Sequence, residues 1–450
     1  MKKLRVCAIL LIGFMIMGGT AWAWNSTDHV KVAPGGKGDL IIFPWYIAMA
    51  GGWETKLSVI NTSSTYSTVA KVVVRSVNWS QEVLDFLIYL SPNDVWTGTL
   101  KNDIAGTVLY SADDSILRRN PGAVIVAEDF ASGAFPVTQP LFSVDCPTST
   151  TYGSDSNQKG YVEVIEAAAT TGLTKIVGTN KVAKTTIYNW YSQVVAPAPN
   201  DTPNILTGYQ EFRNILSPSP VETYDALSRA EVFADWNNTA KLDVTRATGI
   251  TEESRNTIGE LEAAMAKSDV ALPYVSSLNG DYAVHIFNFP TKLSWAESTC
   301  LKYGAYSQSP YFMSFGKLVK CEEYMPNVYD MLEGTTAASG SPFSGGDAGN
   351  PTMCKEVEMI QTTFIDPLFR EGWIRYNWAG TQGLKAFNTK SSSPLNNSFT
   401  GTPVLPVVLF LKFNGGNVVA TQAAAAFNEG VVTEGQVIYP YFQYSQYTTP

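Results

Sequence analysis

The chain has 450 residues, with 31 Lys or Arg against 40 Asp or Glu and a net charge of −9. Charged residues make up 16% of the chain and aromatic residues 12%, so uncharged polar residues must provide much of its solvation. The acidic balance argues against a nucleic-acid-binding protein, and the composition favours an extracellular β-rich protein over a cytosolic enzyme.

The first 23 residues have the order of a cleavable secretory signal peptide. Basic residues within 2–5 precede an apolar run over 6–17, and Ala21-Trp22-Ala23 supplies the small-x-small cleavage pattern. The apolar run is too short to span a bilayer. We therefore expect a mature chain that starts at Trp24 and is exported to the periplasm, the cell surface or the medium, and we do not expect an integral membrane protein.

Alternating apolar and β-branched residues predict short strands near the start of the mature chain, at 39–47, 54–61, 70–77, 83–90 and 95–100. Pro44 interrupts the first of them. Gly, Pro, Asn and Ser separate these strands, which is typical of antiparallel β-sandwich (Ig-like) modules. The length favours two domains, an N-terminal sandwich over 24–150 and a second β-rich domain over 151–450.

The rest of the chain mixes strand and helix patterns. Strands are predicted at 160–166, 184–190, 281–289, 372–378, 406–413 and 436–442. Apolar residues at helical spacing predict packing helices over 221–236 and 251–267. The Gly- and Ser-rich stretch 334–350 is expected to be a long surface loop.

The mature chain keeps four cysteines, at Cys146, Cys300, Cys321 and Cys354. An even number in an oxidising compartment favours two disulfides, for which three pairings are open. Cys300 with Cys321 is preferred, because the stretch between them can return as a hairpin, and this leaves Cys146 for Cys354. A zinc site is disfavoured, since no CxxC pair occurs and the only histidines are His29 and His285.

Several phrases in order resemble a family of secreted, β-rich proteins of Gram-negative bacteria. They are GGWETKLSVINT at 51–62, LSPNDVWTG at 90–98, GYVEVI at 160–165 and FPTK at 289–292, followed by Cys300 and Cys321. The resemblance extends from Gly51 to about residue 333. It implies a secreted β architecture with a paired-cysteine segment after the FPTK strand end, and it implies no activity and no site.

Catalytic candidates are few. His285 lies in an alternating apolar strand, where a packed, hydrogen-bonded histidine is the favoured interpretation over a triad base. Glu163 and Glu166 share one strand, but their odd spacing predicts opposite faces, unlike the facing carboxylates of a glycosidase. Asp113 and Asp114 are a weak calcium candidate, with a solvated acidic turn as the favoured interpretation. No other cofactor is expected.

Aromatic clusters are the better candidates for binding a partner or a glycan, although about half of such residues are expected to point into the core of a sandwich. The candidates are Tyr439, Tyr441, Tyr444, Tyr447, Trp373 and Trp378. The tyrosines alternate with Gln and Ser near the C-terminus and leave one aromatic face. Ordinary packing is the favoured interpretation of that face, and an edge strand that pairs with a neighbouring subunit is the alternative.

Three function classes follow from these patterns. The leading hypothesis is a non-catalytic secreted or cell-surface structural protein, built of β-sandwich modules, that assembles with itself or with a cell-envelope partner. The alternative is an extracellular carbohydrate- or ligand-binding protein. A carboxylate-based hydrolase is the third.

Overall fold

The structure is a computed structural model in which part of the chain is described. The described residues are 31–32, 36–77, 82–103, 106–117, 134–136, 158–193, 203–214, 226–229, 231–234, 265–267, 269–276, 281–290, 322–330, 335–337, 352–353, 357–362, 371–377, 384–386, 398–400, 402–414 and 417–425.

Within these residues the chain forms 26 strands and one helix. The strands are β1 (Lys31–Val32), β2 (Leu40–Ile47), β3 (Trp53–Asn61), β4 (Ser67–Ser76), β5 (Glu82–Leu90), β6 (Val95–Asp103), β7 (Gly106–Tyr110), β8 (Ala134–Pro136), β9 (Lys159–Thr170), β10 (Leu206–Asn214), β11 (Ala226–Arg229), β12 (Glu231–Ala234), β13 (Ala266–Lys267), β14 (Asp269–Val275), β15 (Tyr282–Asn288), β16 (Glu322–Glu323), β17 (Met325–Asp330), β18 (Thr335–Ala337), β19 (Thr352–Met353), β20 (Val357–Gln361), β21 (Glu371–Asn377), β22 (Leu384–Ala386), β23 (Ser398–Thr400), β24 (Thr402–Pro403), β25 (Leu405–Asn414) and β26 (Asn417–Ala425). The helix, α1, spans Lys184–Gln193.

Four antiparallel sheets contain most of the strands. Sheet I has the order β1-β12-β2-β9-β4-β5, and sheet II has the order β11-β10-β3-β6-β7-β8. Sheet III has the order β20-β15-β25-β26, and sheet IV has the order β14-β21-β17-β18. The predicted mainly β, sandwich-like fold is confirmed.

Sheet I is buried on both faces, as its sequence shows most clearly in β2. Seven of the eight residues of LIIFPWYI are buried, and successive side chains of a strand point to opposite faces. Ile41 and Phe43 belong to one apolar core, and Leu40 and Ile42 belong to another. The register against β9 shifts between Phe43 and Tyr46, as expected where Pro44 removes a backbone donor.

The first core lies between sheets I and II. Sheet I contributes Val72 and Val164, and sheet II contributes Leu57 and Trp96. The indole nitrogen of Trp96 donates to Ser111 Oγ at 3.1 Å, so this large side chain is buried with its polar atom paired.

The second core lies between sheets I and III. Sheet I contributes Trp45 and Ile165, while β15 contributes Ile286 and β25 contributes Val407. The Tyr161 hydroxyl donates to the Pro290 carbonyl at 3.3 Å. Sheet III thus covers the face of sheet I that sheet II leaves uncovered.

The predicted helix over 221–236 is wrong, because β11 and β12 lie within it. β11 pairs with β10 and β12 pairs with β2, so cross-strand pairing outweighs the local helical spacing of the apolar residues. Residues 251–264 of the second predicted helix lie outside the described residues. Met265 is helical, and the last two residues form strand β13. Conversely, the strand predicted at 184–190 is helix α1, whose Ile187 packs with Val69 and Tyr89.

The predicted domain boundary at residue 150 does not follow the sheets. β9 lies between β2 and β4 in sheet I, and β10 pairs with β3 in sheet II. The N-terminal sandwich therefore takes its strands from both sides of residue 150, reaching β12. The predicted signal peptide and the strand at 436–442 lie outside the described residues. The loop predicted at 334–350 contains strand β18 at 335–337, which pairs with β17, and the rest of that stretch lies outside the described residues.

Candidate functional site

His285 lies in β15, on the face opposite Val284 and Ile286, and is fully buried. The Tyr376 hydroxyl donates to its Nδ1 at 2.7 Å, and its Nε2 donates to the Pro273 carbonyl at 2.9 Å. Burial lowers the pKa of His285 to about 4, although the bond to Pro273 opposes this shift. The ring is therefore neutral at neutral pH and bonded at both nitrogens, and the packed-histidine interpretation is confirmed.

Glu163 also has a structural environment. It alternates with Tyr161 and Ile165, so it lies on the face of sheet I toward sheet III. Its Oε2 accepts a hydrogen bond from Arg75 Nε at 2.9 Å, and both side chains are completely buried. A carboxylate enclosed with a guanidinium in this way is an internal ion pair that links β4 to β9.

Glu166 points to the opposite face of sheet I, as its spacing from Glu163 predicts, because it alternates with Val162 and Val164. Thr68 Oγ1 lies 2.6 Å from Glu166 Oε1 and 3.1 Å from the Ala168 carbonyl oxygen. A hydroxyl has one proton and cannot donate to both oxygens. The contact to Glu166 is the shorter of the two, so Thr68 donates to the carboxyl group of Glu166.

The surroundings of Glu166 on balance favour its neutral form. Burial raises the pKa of Glu166 well above its usual value, the hydrogen bond to Thr68 lowers it, and the negative charge of Asp39 raises it again. Glu166 Oε2 is buried and has no hydrogen-bond partner among the described residues, which is less costly for a neutral acid than for a carboxylate. The two glutamates of β9 are thus separated by the sheet and differ in partner.

The acidic turn at Asp113 and Asp114 faces a lysine. Asp113 Oδ1 accepts a hydrogen bond from the Ser115 amide at 2.8 Å, and Asp114 Oδ1 lies 3.7 Å from Lys184 Nζ. Lys184 also contacts Asp94 in the turn between β5 and β6. Burial lowers the pKa of Lys184 to about 8. An ammonium group therefore stands beside the predicted calcium candidate.

Trp373 lies on the outer face of sheet IV, in the centre of β21. Its side chain is 39% exposed, whereas its neighbours Ile374 and Tyr376 on the other face are buried. Its ring stacks on Tyr329 of β17, with centroids 4.1 Å apart and an angle of 13° between the planes. On the side away from Tyr329, Trp373 is paired in the strand register with Pro273 of β14. This row of three cyclic side chains is called the Trp373 face.

Polar residues flank the Trp373 face along β21. Glu371 is exposed and Arg375 is partly exposed, and both share the outward alternation of Trp373. Asn327 of β17 is opposite Arg375 in the register. The face therefore presents an aromatic centre with an acidic group on one side and a basic group on the other.

Sequence reasoning named Trp373 but missed its partners. Tyr329 and Pro273 reach it only through the pairing of β17 and β14 with β21. Their separation along the chain left no local signal. Trp378, Tyr439, Tyr441, Tyr444 and Tyr447 lie outside the described residues, as do Cys146, Cys300, Cys321 and Cys354, so the disulfides stay a prediction.

No three His, Cys, Asp or Glu side chains in the described part of the chain lie close enough together to hold a metal ion. No helix in the same residues is both long enough and apolar enough to span a bilayer.

Comparison of the chain with protein-family models, with curated proteins and with solved structures gives no match.

Proposed function

We propose that this chain is an exported, non-catalytic surface protein that associates with a second copy of itself through the Trp373 face. The observation that carries the proposal is a large aromatic side chain, 39% exposed, in the centre of a sheet face whose opposite side is buried. Exposed Trp and Tyr residues are enriched at contact surfaces, because each buries a large area with little loss of side-chain entropy.

The charges along β21 favour a second copy as the occupant. Glu371 and Arg375 lie two residues before and two residues after Trp373 on the same face. A two-fold axis that crosses β21 at Trp373 would reverse the strand direction in the second copy. Glu371 of each copy would then lie opposite Arg375 of the other, while the aromatic stacks meet at the centre. The pattern is self-complementary, as an isologous interface requires.

Three groups able to do acid–base chemistry in the described residues support a structural role. His285 is bonded at both nitrogens, Glu163 is paired with Arg75, and Lys184 contacts Asp94. Each of these groups joins one strand or layer to another. Their hydrogen bonds and charges stabilise the stacked sheets.

Light scattering coupled to size-exclusion chromatography, over a range of concentrations of the mature chain with its disulfides intact, tests the proposal. We expect a concentration-dependent dimer or larger oligomer, and Trp373→Ala should weaken its association at least about tenfold. Met359→Ala is the matched control, because Met359 is 38% exposed on β20 of sheet III, away from the Trp373 face.

Charge reversal tests the two-fold arrangement itself. Glu371→Arg and Arg375→Glu should each weaken association, since either change places like charges opposite each other. The double variant should recover most of the loss, because the opposite charges are again aligned. A wild-type chain that stays monomeric at all concentrations, or an oligomer unaffected by Trp373→Ala, would show that the proposal is wrong.

Glycan binding is the second candidate, and the same face favours it. An aromatic side chain beside Arg375 and Asn327 combines a surface for a sugar ring with hydrogen-bond donors for its hydroxyls. A monomeric wild-type chain that binds a glycan on an array, and loses it on Trp373→Ala, would establish this function instead.

A further inference from the structure

The loop between β9 and α1 projects an aliphatic tip into solvent. Val177 is 97% exposed and Ile176 is 47% exposed, the highest values among the large apolar residues of the described chain. They are adjacent and occupy the end of one turn. Single exposed apolar residues are common on protein surfaces. Two adjacent aliphatic residues that are both exposed to this extent are unusual.

The tip is ordered by its own hydrogen bonds. The Thr179 amide donates to the Ile176 carbonyl at 3.0 Å, and the Ile176 amide donates to the Lys181 carbonyl at 2.8 Å. Gly178 has φ of 80°, as the third position of a type II turn requires, and this places Val177 at the second position. The exposure of the two side chains is therefore a property of a defined turn.

The base of the loop is held against the body of the protein. Val182 is buried and Leu173 packs against the same cluster, which also contains Ile187 of α1. Lys175 and Val182 form an antiparallel bridge below the turn. The apolar residues of the loop thus divide into an anchored pair at the base and an exposed pair at the tip.

Positive charge surrounds the tip in an otherwise acidic chain. Lys175 and Lys181 flank the turn and are both exposed. Residues 167–200 contain no Asp or Glu, although the whole chain has a net charge of −9. Asp114 faces this loop, since the charge of Lys181 acts on it, and Asp94 contacts Lys184 where the loop joins α1. Lys175 carries the second positive charge at the base of the turn.

We infer that the Ile176–Val177 tip inserts into the surface of a membrane that contains anionic lipid. The aliphatic side chains would enter the boundary between headgroups and acyl chains, while Lys175 and Lys181 lie at the level of the lipid phosphates. A convex tip with so little contact from its own chain fits a deformable lipid surface, whereas a protein partner would have to provide a matching pocket.

Co-sedimentation of the full mature chain with vesicles tests this inference. Vesicles of phosphatidylglycerol and phosphatidylcholine should bind the protein, and vesicles of phosphatidylcholine alone should bind it several-fold more weakly. Val177→Asp should weaken binding to the anionic vesicles roughly tenfold. Lys175→Glu should weaken it too, and added salt should reduce the difference between wild type and Lys175→Glu.

Val95→Asp is the matched control, because Val95 is a 38% exposed valine on β6, outside this loop, and it should bind as wild type does. Circular dichroism of each variant establishes that it is folded. Equal binding by Val177→Asp and wild type would overturn the inference, and so would a wild-type chain that binds neither kind of vesicle. Trp373→Ala should keep its vesicle binding, so this test is independent of the proposed self-association.

Discussion

Individual buried residues decide how this protein responds to pH, and His285 is the clearest case. Its pKa is about 4 in the folded chain against 6.5 when unperturbed, so the unfolded state binds a proton first as the pH falls. The free energy of unfolding should therefore decrease between about pH 6.5 and about pH 4, by about 3 kcal/mol from this residue. Above about pH 6.5 the stability contributed by neutral His285 is fully present.

His285→Gln isolates this effect, because a glutamine amide can still accept from Tyr376 and donate to Pro273 but does not titrate. Urea unfolding near pH 7 and near pH 4 measures this difference. The free energy of unfolding should decrease less between the two pH values in the variant than in the wild type. Parallel pH profiles for the two proteins would contradict the assignment.

Glu166 gives a pH dependence of the opposite sign. Its pKa is raised in the folded chain, mainly by burial, so the folded state keeps a proton that the unfolded state loses above about pH 4.5. Stability from this group is present at low pH and is lost as the pH rises. Glu166→Gln should match the wild type at acidic pH and become increasingly more stable than it at alkaline pH.

Glu163→Gln is the control for that experiment, since it lies on the same strand but faces Arg75. It should be less stable than the wild type at neutral and alkaline pH, because Arg75 loses its carboxylate. Equal effects of the two substitutions would show that the two glutamates do not differ as their partners indicate.

At the scale of elements, sequence patterns predicted the strands well where burial is local. Alternation or a continuous apolar run located β2 to β6, β9, β15, β21 and β25 within a few residues. The errors occurred where contacts with residues far away in the sequence determine whether a segment is a strand or a helix. β12 is a strand because β1 and β2 flank it, and α1 is a helix because Ile187 packs on sheet I despite its Thr-Thr-Ile start. Neither partner is visible in the local sequence.

The Arg75–Glu163 pair joins two strands inside the stack, and a double-mutant cycle measures its role. Arg75→Met or Glu163→Leu alone should destabilise the protein by about 3–5 kcal/mol, since each leaves a buried charge without its counter-ion. The double variant should recover most of that loss, because two apolar side chains replace the pair. Additive losses, measured by urea unfolding, would mean that the two charges do not stabilise each other.

For the whole molecule, the decisive feature is that sheet I serves two cores. Ile41 and Phe43 pack toward sheet II, while Leu40 and Ile42 pack toward sheet III. The sequence predicted two successive domains because length and strand spacing carry no information about which sheets share a face. Loss of sheet III would expose a full apolar face of sheet I, including Trp45, Tyr161 and Ile165.

This shared sheet should make the sandwich and sheet III unfold as one cooperative unit. Calorimetry of the mature chain should give one transition with equal calorimetric and van't Hoff enthalpies. Leu57→Ala in the core toward sheet II and Ile286→Ala in the core toward sheet III should each cost about 2–5 kcal/mol. Both substitutions should lower the midpoint temperature of that single transition, because neither core survives without sheet I. Two transitions, each lowered by only one substitution, would instead establish that the sandwich and sheet III fold independently.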